Sequence, residues 1–205
     1  MANRAEFFER LTPFHAPSTL LSIQLAYTLA KFSHRAQVRK ELDEAGLPVR
    51  YFEHVKRAAL TLMDEVGIYD AEMVIGALLH DGFEDTRDIT PELVEHAFGA
   101  EVTLIVKTLS KVPKEGYLKR FHLCRDIRPY IIKGCDRLDN LRSLKEASPE
   151  FQRKQIQETR ELYYPLFDRM ITMAAISVED PETIERVKGL RNLIVNTTEA
   201  FQFSS

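Results

Sequence analysis

Apolar residues along this chain recur at steps of three and four, the spacing of one face of an α-helix. After Pro17 and Ser18 they fall at Leu21, Leu25, Ala26, Leu29, Phe32 and Ala36, which predicts an amphipathic helix. Gly46 and Pro48 punctuate the following loop, and a second helix is predicted from about Phe52 to Val66, stopping at Gly67. Asp70 is a good N-cap for AEMVIGALLHD, a segment apolar on most sides and therefore central. Thr90 caps a short helix with Pro91 at its first position, Gly99 closes it, and another helix covers about Glu101 to Leu109. Ser110 to Glu115, SKVPKE, reads as a basic loop. Further helices are predicted from Ile127 to Lys145, from Pro149 with a kink at Pro165, and from Pro181 to the polar tail. No stretch alternates as a strand does. The expectation is an all-α, multi-helix single domain over 1–205.

A chain of 205 residues is long enough for a sizeable core. Its net charge of −3 excludes a nucleic-acid-binding module driven by a global basic field, so a polyanionic ligand needs a local basic cluster. The N-terminus lacks an apolar signal region, and the longest apolar run, about Met170 to Val178, is too short to span a bilayer. Cys124 and Cys135 match no zinc spacing and read as reduced thiols. The expected location is the cytoplasm.

Candidate chemistry sits at the end of the central helix, where His80 and Asp81 adjoin. An imidazole and a carboxylate at the end of a buried helix must be paired, solvated or bound to metal. His34, on the polar side of the first helix, and Asp136, after YIIKGC, add a nitrogen and an oxygen from two other helices. His54, His96 and His122 read as surface or capping residues.

The string LLHDGFEDT resembles the LLHD-x-x-EDT motif of the RelA/SpoT hydrolase domain, which cleaves the alarmone (p)ppGpp. The resemblance continues in His34-x-x-Gln37-x-Arg39-Lys40 and in Gly46, Pro48, Tyr51 and His54. FGAEV, LSK, IIKGCDRLDNLRSL and ETRELYYPL extend it, over about residues 26–170 in all. The helices of 171–205 fall outside it, their apolar faces available to complete the core or to pair copies in a homo-oligomer. No synthetase segment follows within the sequence, so the resemblance implies a stand-alone small alarmone hydrolase with an HD-type helical fold.

It further implies that His34, His80, Asp81 and Asp136 hold one divalent metal, most often Mn2+ in that family. Glu84 and Asp85 correspond to its catalytic acidic pair. Arg39, Lys40, Lys111, Arg137, Asn140 and Tyr163 are the implied substrate-binding residues, with the guanine and ribose near Arg39-Lys40, Asn140 and Tyr163. The residues themselves agree in part. A mixed imidazole and carboxylate set suits Mn, Fe or Zn. A divalent ion lowers the pKa of its water from 15.7 toward ~7, and a neighbouring carboxylate accepts or orients the remaining proton. A strongly anionic alarmone needs placed cations on a slightly acidic protein.

Three departures stand out. Between Lys40 and Tyr51 the segment ELDEAGLPVR is longer than the family's short turn; Asp139 replaces a histidine; and Gly82-Phe83 replaces two small apolar residues. A carboxylate at 139 is unfavourable near phosphates unless it points away. Competing readings are an HD phosphohydrolase for another nucleotide (NADPH or an adenine alarmone), whose motifs would be the same, and a catalytically silent nucleotide-binding regulator. The intact Glu84 and Asp85 argue against the last.

Overall fold

The computed structural model describes residues 2–203. A short helix α1 (Arg4–Glu9), boxed at its start by Asn3 and Glu6, precedes α2 (Pro17–Ser33). Two strands, β1 (Val38–Leu42) and β2 (Pro48–Arg50), pair antiparallel. Then come α3 (Tyr51–Asp64), α4 (Ala71–Leu79), the single turn α5 (Gly82–Asp85), α6 (Pro91–Leu109) and α7 (Tyr117–Leu123). The chain continues through α8 (Arg128–Arg142), α9 (Pro149–Glu158), α10 (Tyr164–Ser177) and α11 (Pro181–Glu199). No helix among the described residues is long and apolar enough to cross a membrane.

Helix α4 is the axis of the core, packed against α2, α3, α6 and α8, with Met73 through Leu79 all buried. Its all-round apolar character follows from having neighbours on every side. The Asp70 side chain accepts from the Met73 N–H at 2.9 Å and fixes where the helix starts. Close packing depends on two glycines. A Cβ on Gly76 would stand 2.8 Å from Ile105 of α6, and one on Gly134 of α8 would stand 2.8 Å from Leu190 of α11. The second contact seats α11 on α8, and Val187, Leu190 and Ile194 complete the core from outside the resembled region.

Three local readings change. The buried side of α2 is Ile23, Ala26, Tyr27 and Ala30, whereas Leu21, Leu25 and Phe32 are exposed. Small side chains let α2 approach α4, and the larger apolar positions lie outside that contact. The helix also ends at Ser33, short of Ala36. The 38–50 segment forms a hairpin with an inverted alternation: Arg39 and Glu41 are half-buried while Val38, Lys40 and Leu42 face solvent. A search for apolar-in, polar-out strands misses that pattern. At the expected kink the chain takes up a π-helical stretch, Thr159–Tyr163, which leads into α10 with Pro165 in its first turn and absorbs the clash its ring would make with the carbonyl four residues back. Gly99 at φ 89° kinks α6, at the expected boundary.

Candidate active site

Helix α4 ends at Leu79, His80 caps it, and Asp81 turns the chain (φ −95°, ψ 0°) into α5. His80 is buried. Its Nδ1–H donates to the Ala77 carbonyl at 2.8 Å, which leaves Nε2 as the atom facing the cluster. That Nε2 lies 3.0 Å from Asp81 Oδ2 and 3.5 Å from Asp136 Oδ1 but makes no hydrogen bond of acceptable geometry.

The other imidazole in the cluster is His54, which corrects its reading as a surface or capping residue. His54 is 1% exposed and lies on the buried face of α3 with Ala58 and Leu62. Its Nε2 is 3.2 Å from Asp136 Oδ1 and 3.5 Å from Asp81 Oδ2. Ligand atoms of His54, His80 and Asp81 all lie within 4.8 Å of one another. The signal in the sequence was the helical step: His54, Ala58 and Leu62 share one apolar face.

His34 is buried too, but it neither belongs to that group nor lines the cleft. Its Nδ1–H donates to Gln37 Oε1 at 2.7 Å, and Gln37 Nε2 donates to the Asp85 carbonyl. Its ring stacks on Tyr51 at 4.8 Å, and its Nε2 has no partner. Burial lowers its pKa. The Tyr51 hydroxyl in turn lies 2.7 Å from Asp81 Oδ2 and 2.9 Å from Asp85 Oδ2.

Electrostatics explain why such a cluster invites a cation. Burial opposes a charge on His80 and on His54, yet the carboxylates around them outweigh it and hold their pKa values at about 10 and about 9. Burial also opposes the charges on Asp81 and Asp136, but His80 for Asp81, and Lys133 with His54 for Asp136, keep both well below the usual carboxylate range. Lys133 Nζ reaches Asp136 Oδ2 at 2.7 Å, and Asn140 Nδ2 donates to Asp136 Oδ1 at 2.6 Å. The negative field that holds protons on the imidazoles is the field a divalent cation satisfies in their place. With the unbonded Nε2 of His80, the donor set fits a metal ion.

Beside this cluster opens a cleft of about 660 Å3, the size of a small-ligand site. Glu84 and Asp85 line it, with Lys111 of the basic loop, Arg39, Arg137, Asn140 and Tyr163. Burial pushes the Glu84 carboxyl up, and the Lys111 N–H donates to its Oε1 at 3.0 Å. The Arg137 guanidinium stacks 3.8 Å from the Tyr163 ring centre and donates to Gln155 at 2.8 Å, while its buried Nε has no partner. The Tyr117 hydroxyl is likewise buried without a partner at the cleft wall. A second hollow of about 220 Å3 adjoins through Arg39, Tyr51, Asn140 and Phe151, and holds Lys40, whose Nζ sits 4.0 Å over the Phe151 ring. The structure therefore gathers every expected substrate-contacting residue around two connected spaces. Tyr51, Tyr117 and Lys133 join them unanticipated; Tyr51 lay in the resembled stretch with Gly46, Pro48 and His54, and Lys133 is a lysine inside the apolar run YIIKGC one turn before Asp136.

Asp139 does point away from the cleft, into the protein: its Oδ2 accepts from His54 Nδ1 at 2.6 Å and its Oδ1 from Arg57 Nε at 2.5 Å.

Comparisons with known proteins identify relatives over most of the chain. The guanosine-3′,5′-bis(diphosphate) 3′-pyrophosphohydrolase of Aquifex aeolicus is 38% identical over 192 residues, covering 85% of this chain and 26% of that protein. The GTP pyrophosphokinase of Streptomyces coelicolor is 34% identical over 163 residues, 75% of this chain and 18% of that protein. The bifunctional (p)ppGpp synthase/hydrolase SpoT of Escherichia coli is 32% identical over 160 residues, 72% of this chain and 22% of that protein. The chain thus spans 18–26% of the length of these relatives. A solved metazoan ortholog of SpoT, described as hydrolysing ppGpp, shares the fold with a TM-score of 0.57 at 24% identity, over 83% of this chain and 94% of that one. Residues 26–172 match the HD domain, so the chain belongs to the HD-domain family.

Proposed function

We propose that this protein is a metal-dependent phosphohydrolase that removes the 3′-pyrophosphate of the guanosine alarmone (p)ppGpp, giving GDP or GTP and pyrophosphate. The observation that carries this reading is the cluster of buried His54, His80, Asp81 and Asp136 beside a cleft lined by the Glu84–Asp85 pair and the cations Arg39, Lys111 and Arg137. The name of the Aquifex aeolicus relative supports the substrate.

In this reading His54, His80, Asp81 and Asp136 hold the metal, Mn2+ being our assignment, and His34 leaves the ligand set for a supporting place behind Tyr51. When bound, the ion supplies Lewis-acid charge at a phosphoryl oxygen and acidifies water. The chain's own groups do the rest. Glu84, its proton affinity raised by burial and its orientation set by the Lys111 N–H, takes the proton of the attacking water. The Tyr51 hydroxyl sits between Asp81 and Asp85 and gives its single proton to one carboxylate at a time, Asp81 being the nearer at 2.7 Å. The unpartnered Arg137 Nε, with Lys111, faces the phosphates, where a guanidinium or ammonium forms charge-assisted bonds. The side hollow with Arg39, Lys40 and Asn140 takes the base. The two unpaired cysteines support a reducing compartment, the cytoplasm.

The test is a panel of ppGpp, pppGpp, NADPH and ordinary nucleotides incubated with the purified protein and Mn2+. Turnover of the guanosine alarmones above the rest is expected. Turnover of another member with none of ppGpp or pppGpp contradicts the assignment. The hairpin beside the base hollow is the reason to include NADPH.

A further inference from the structure

Asp139 occupies a place that serves neither the cleft nor the core. It is 4% exposed, it lies one turn after Asp136 on α8, and both of its oxygens are committed inward. Oδ2 accepts from His54 Nδ1 at 2.6 Å. Oδ1 accepts from Arg57 Nε at 2.5 Å, and Arg57 Nη2 reaches Oδ2 at 3.1 Å. Arg57 continues to Glu41 of β1, Nη2 to Oε2 at 2.7 Å. A buried carboxylate is costly unless its charge is matched and its lone pairs are filled, and here both conditions are met.

We propose that Asp139, supported by Arg57, is a positioning residue that fixes His54 in its metal-binding form; the inference rests on the metal-site reading above. A carboxylate only accepts. It therefore places the hydrogen of a neutral His54 on Nδ1, turns the ring about its side-chain bond, and presents Nε2 to Asp81 and Asp136. It also makes that nitrogen a stronger donor to a metal. The resembled motif carries a histidine at this position, a group that donates as readily as it accepts. Asp139 is thus a feature of this chain's own sequence. Arg57 and Glu41 extend the support to the hairpin, whose other inward residue, Arg39, bonds Asn140 at 2.8 Å and Ser143 at 3.1 Å on the same helix. The segment longer than the family's turn is in this way anchored to the helix that carries both Asp136 and Asp139.

The test needs no substrate. Mn2+ affinity of the full chain is measured by calorimetry for the wild type, Asp139→Leu and Asp139→Asn, each first checked for a cooperative melt. Asp139→Leu, which removes the acceptor, is expected to weaken Mn2+ by about 10- to 100-fold, the usual effect of losing a partner of a metal-ligating histidine. Asp139→Asn, which keeps an acceptor oxygen, is expected to recover most of that loss. Should Asp139→Leu fail to fold, the wild type alone still decides: its Zn2+-loaded form is expected to show a hydrogen-bonded His54 Nδ1–H in 15N-resolved proton spectra. Unchanged affinity in Asp139→Leu, an equal loss in Asp139→Asn, or absence of that proton overturns the inference and leaves the metal site standing. A wild type that binds no Mn2+ instead brings down the metal-site reading, and this inference with it.

Discussion

The backbone N–H of Lys111 donates to Glu84 Oε1 across 3.0 Å, so the basic loop after α6 holds the acid that follows the His80–Asp81 pair. The acid and a cation of the cleft lining, Lys111, are thereby placed by one contact. Glu84→Gln keeps an acceptor for that N–H and loses the ability to take a proton. We expect kcat to fall by about 10²- to 10⁴-fold, the usual worth of a general base, with Mn2+ affinity unchanged. Asp81→Ala is expected to lose both. Single-turnover kinetics and calorimetry on the same preparations separate the two outcomes, and full activity in Glu84→Gln removes it from catalysis.

His54 and His34 make opposite predictions. His54→Ala removes an imidazole whose Nε2 lies 3.2 Å from Asp136, and is expected to weaken Mn2+ by more than ~100-fold, beyond the loss of an outer partner. His34→Ala removes a ring stacked on Tyr51 and a bond to Gln37, and is expected to bind Mn2+ nearly as the wild type does. Calorimetric titration of both variants checks this. The reverse order restores His34 to the ligand set.

That pair also marks where the sequence was and was not legible. The helical frame and the candidate residues on α4 and α8 could be read because apolar periodicity and the HDGFEDT and CDRLDN strings are local signals. The choice between two histidines on neighbouring elements could not, because both are buried and both lie near the cluster; only the packing of α3 on α8 aims His54 at Asp136. The hairpin was hidden by charged side chains on its inner face, Arg39 and Glu41, whose partners Asn140 and Arg57 are remote or on another element. Asp139 drew notice as an odd residue for a phosphate site, and its inward direction follows from Arg57, which no string in the chain announces.

Arg137 stacks on Tyr163 and leaves Nε buried and unpartnered. In the proposed function, a phosphate oxygen is the acceptor this donor awaits. Arg137→Met preserves much of the packing and removes the donor, so kcat/KM for ppGpp is expected to fall by about 10- to 100-fold, the worth of one charge-assisted hydrogen bond. Thermal stability should change little. Steady-state kinetics with a parallel melt checks both. A drop in stability with kcat/KM preserved contradicts the role.

Outside the cleft lining, Glu65 and Arg142 join the end of α3 to the end of α8 by a two-pronged ion pair, 2.5 and 2.7 Å. The Arg142 bonds lower the Glu65 pKa. A carboxyl whose folded pKa lies below its unfolded value of about 4.3 binds fewer protons when folded. Its contribution is therefore present above that pH and is lost as pH falls through the folded value. With the side chains 30% and 44% exposed, solvent screening limits the pair to about 0.2–1 kcal/mol near neutral pH. Urea melts of the wild type and Glu65→Gln should differ by that amount near neutrality and converge in acid. A difference that grows in acid contradicts the sign.

The central claim is hydrolysis of the 3′-pyrophosphate of a guanosine alarmone at this cleft. Its most direct test is product analysis of ppGpp turned over with Mn2+ in 18O-labelled water. Equal amounts of GDP and pyrophosphate are predicted, with the label in the pyrophosphate, because water attacks phosphorus and the ribose keeps its oxygen. Release of orthophosphate in place of pyrophosphate, or ppGpp left intact by protein that binds Mn2+, contradicts the account.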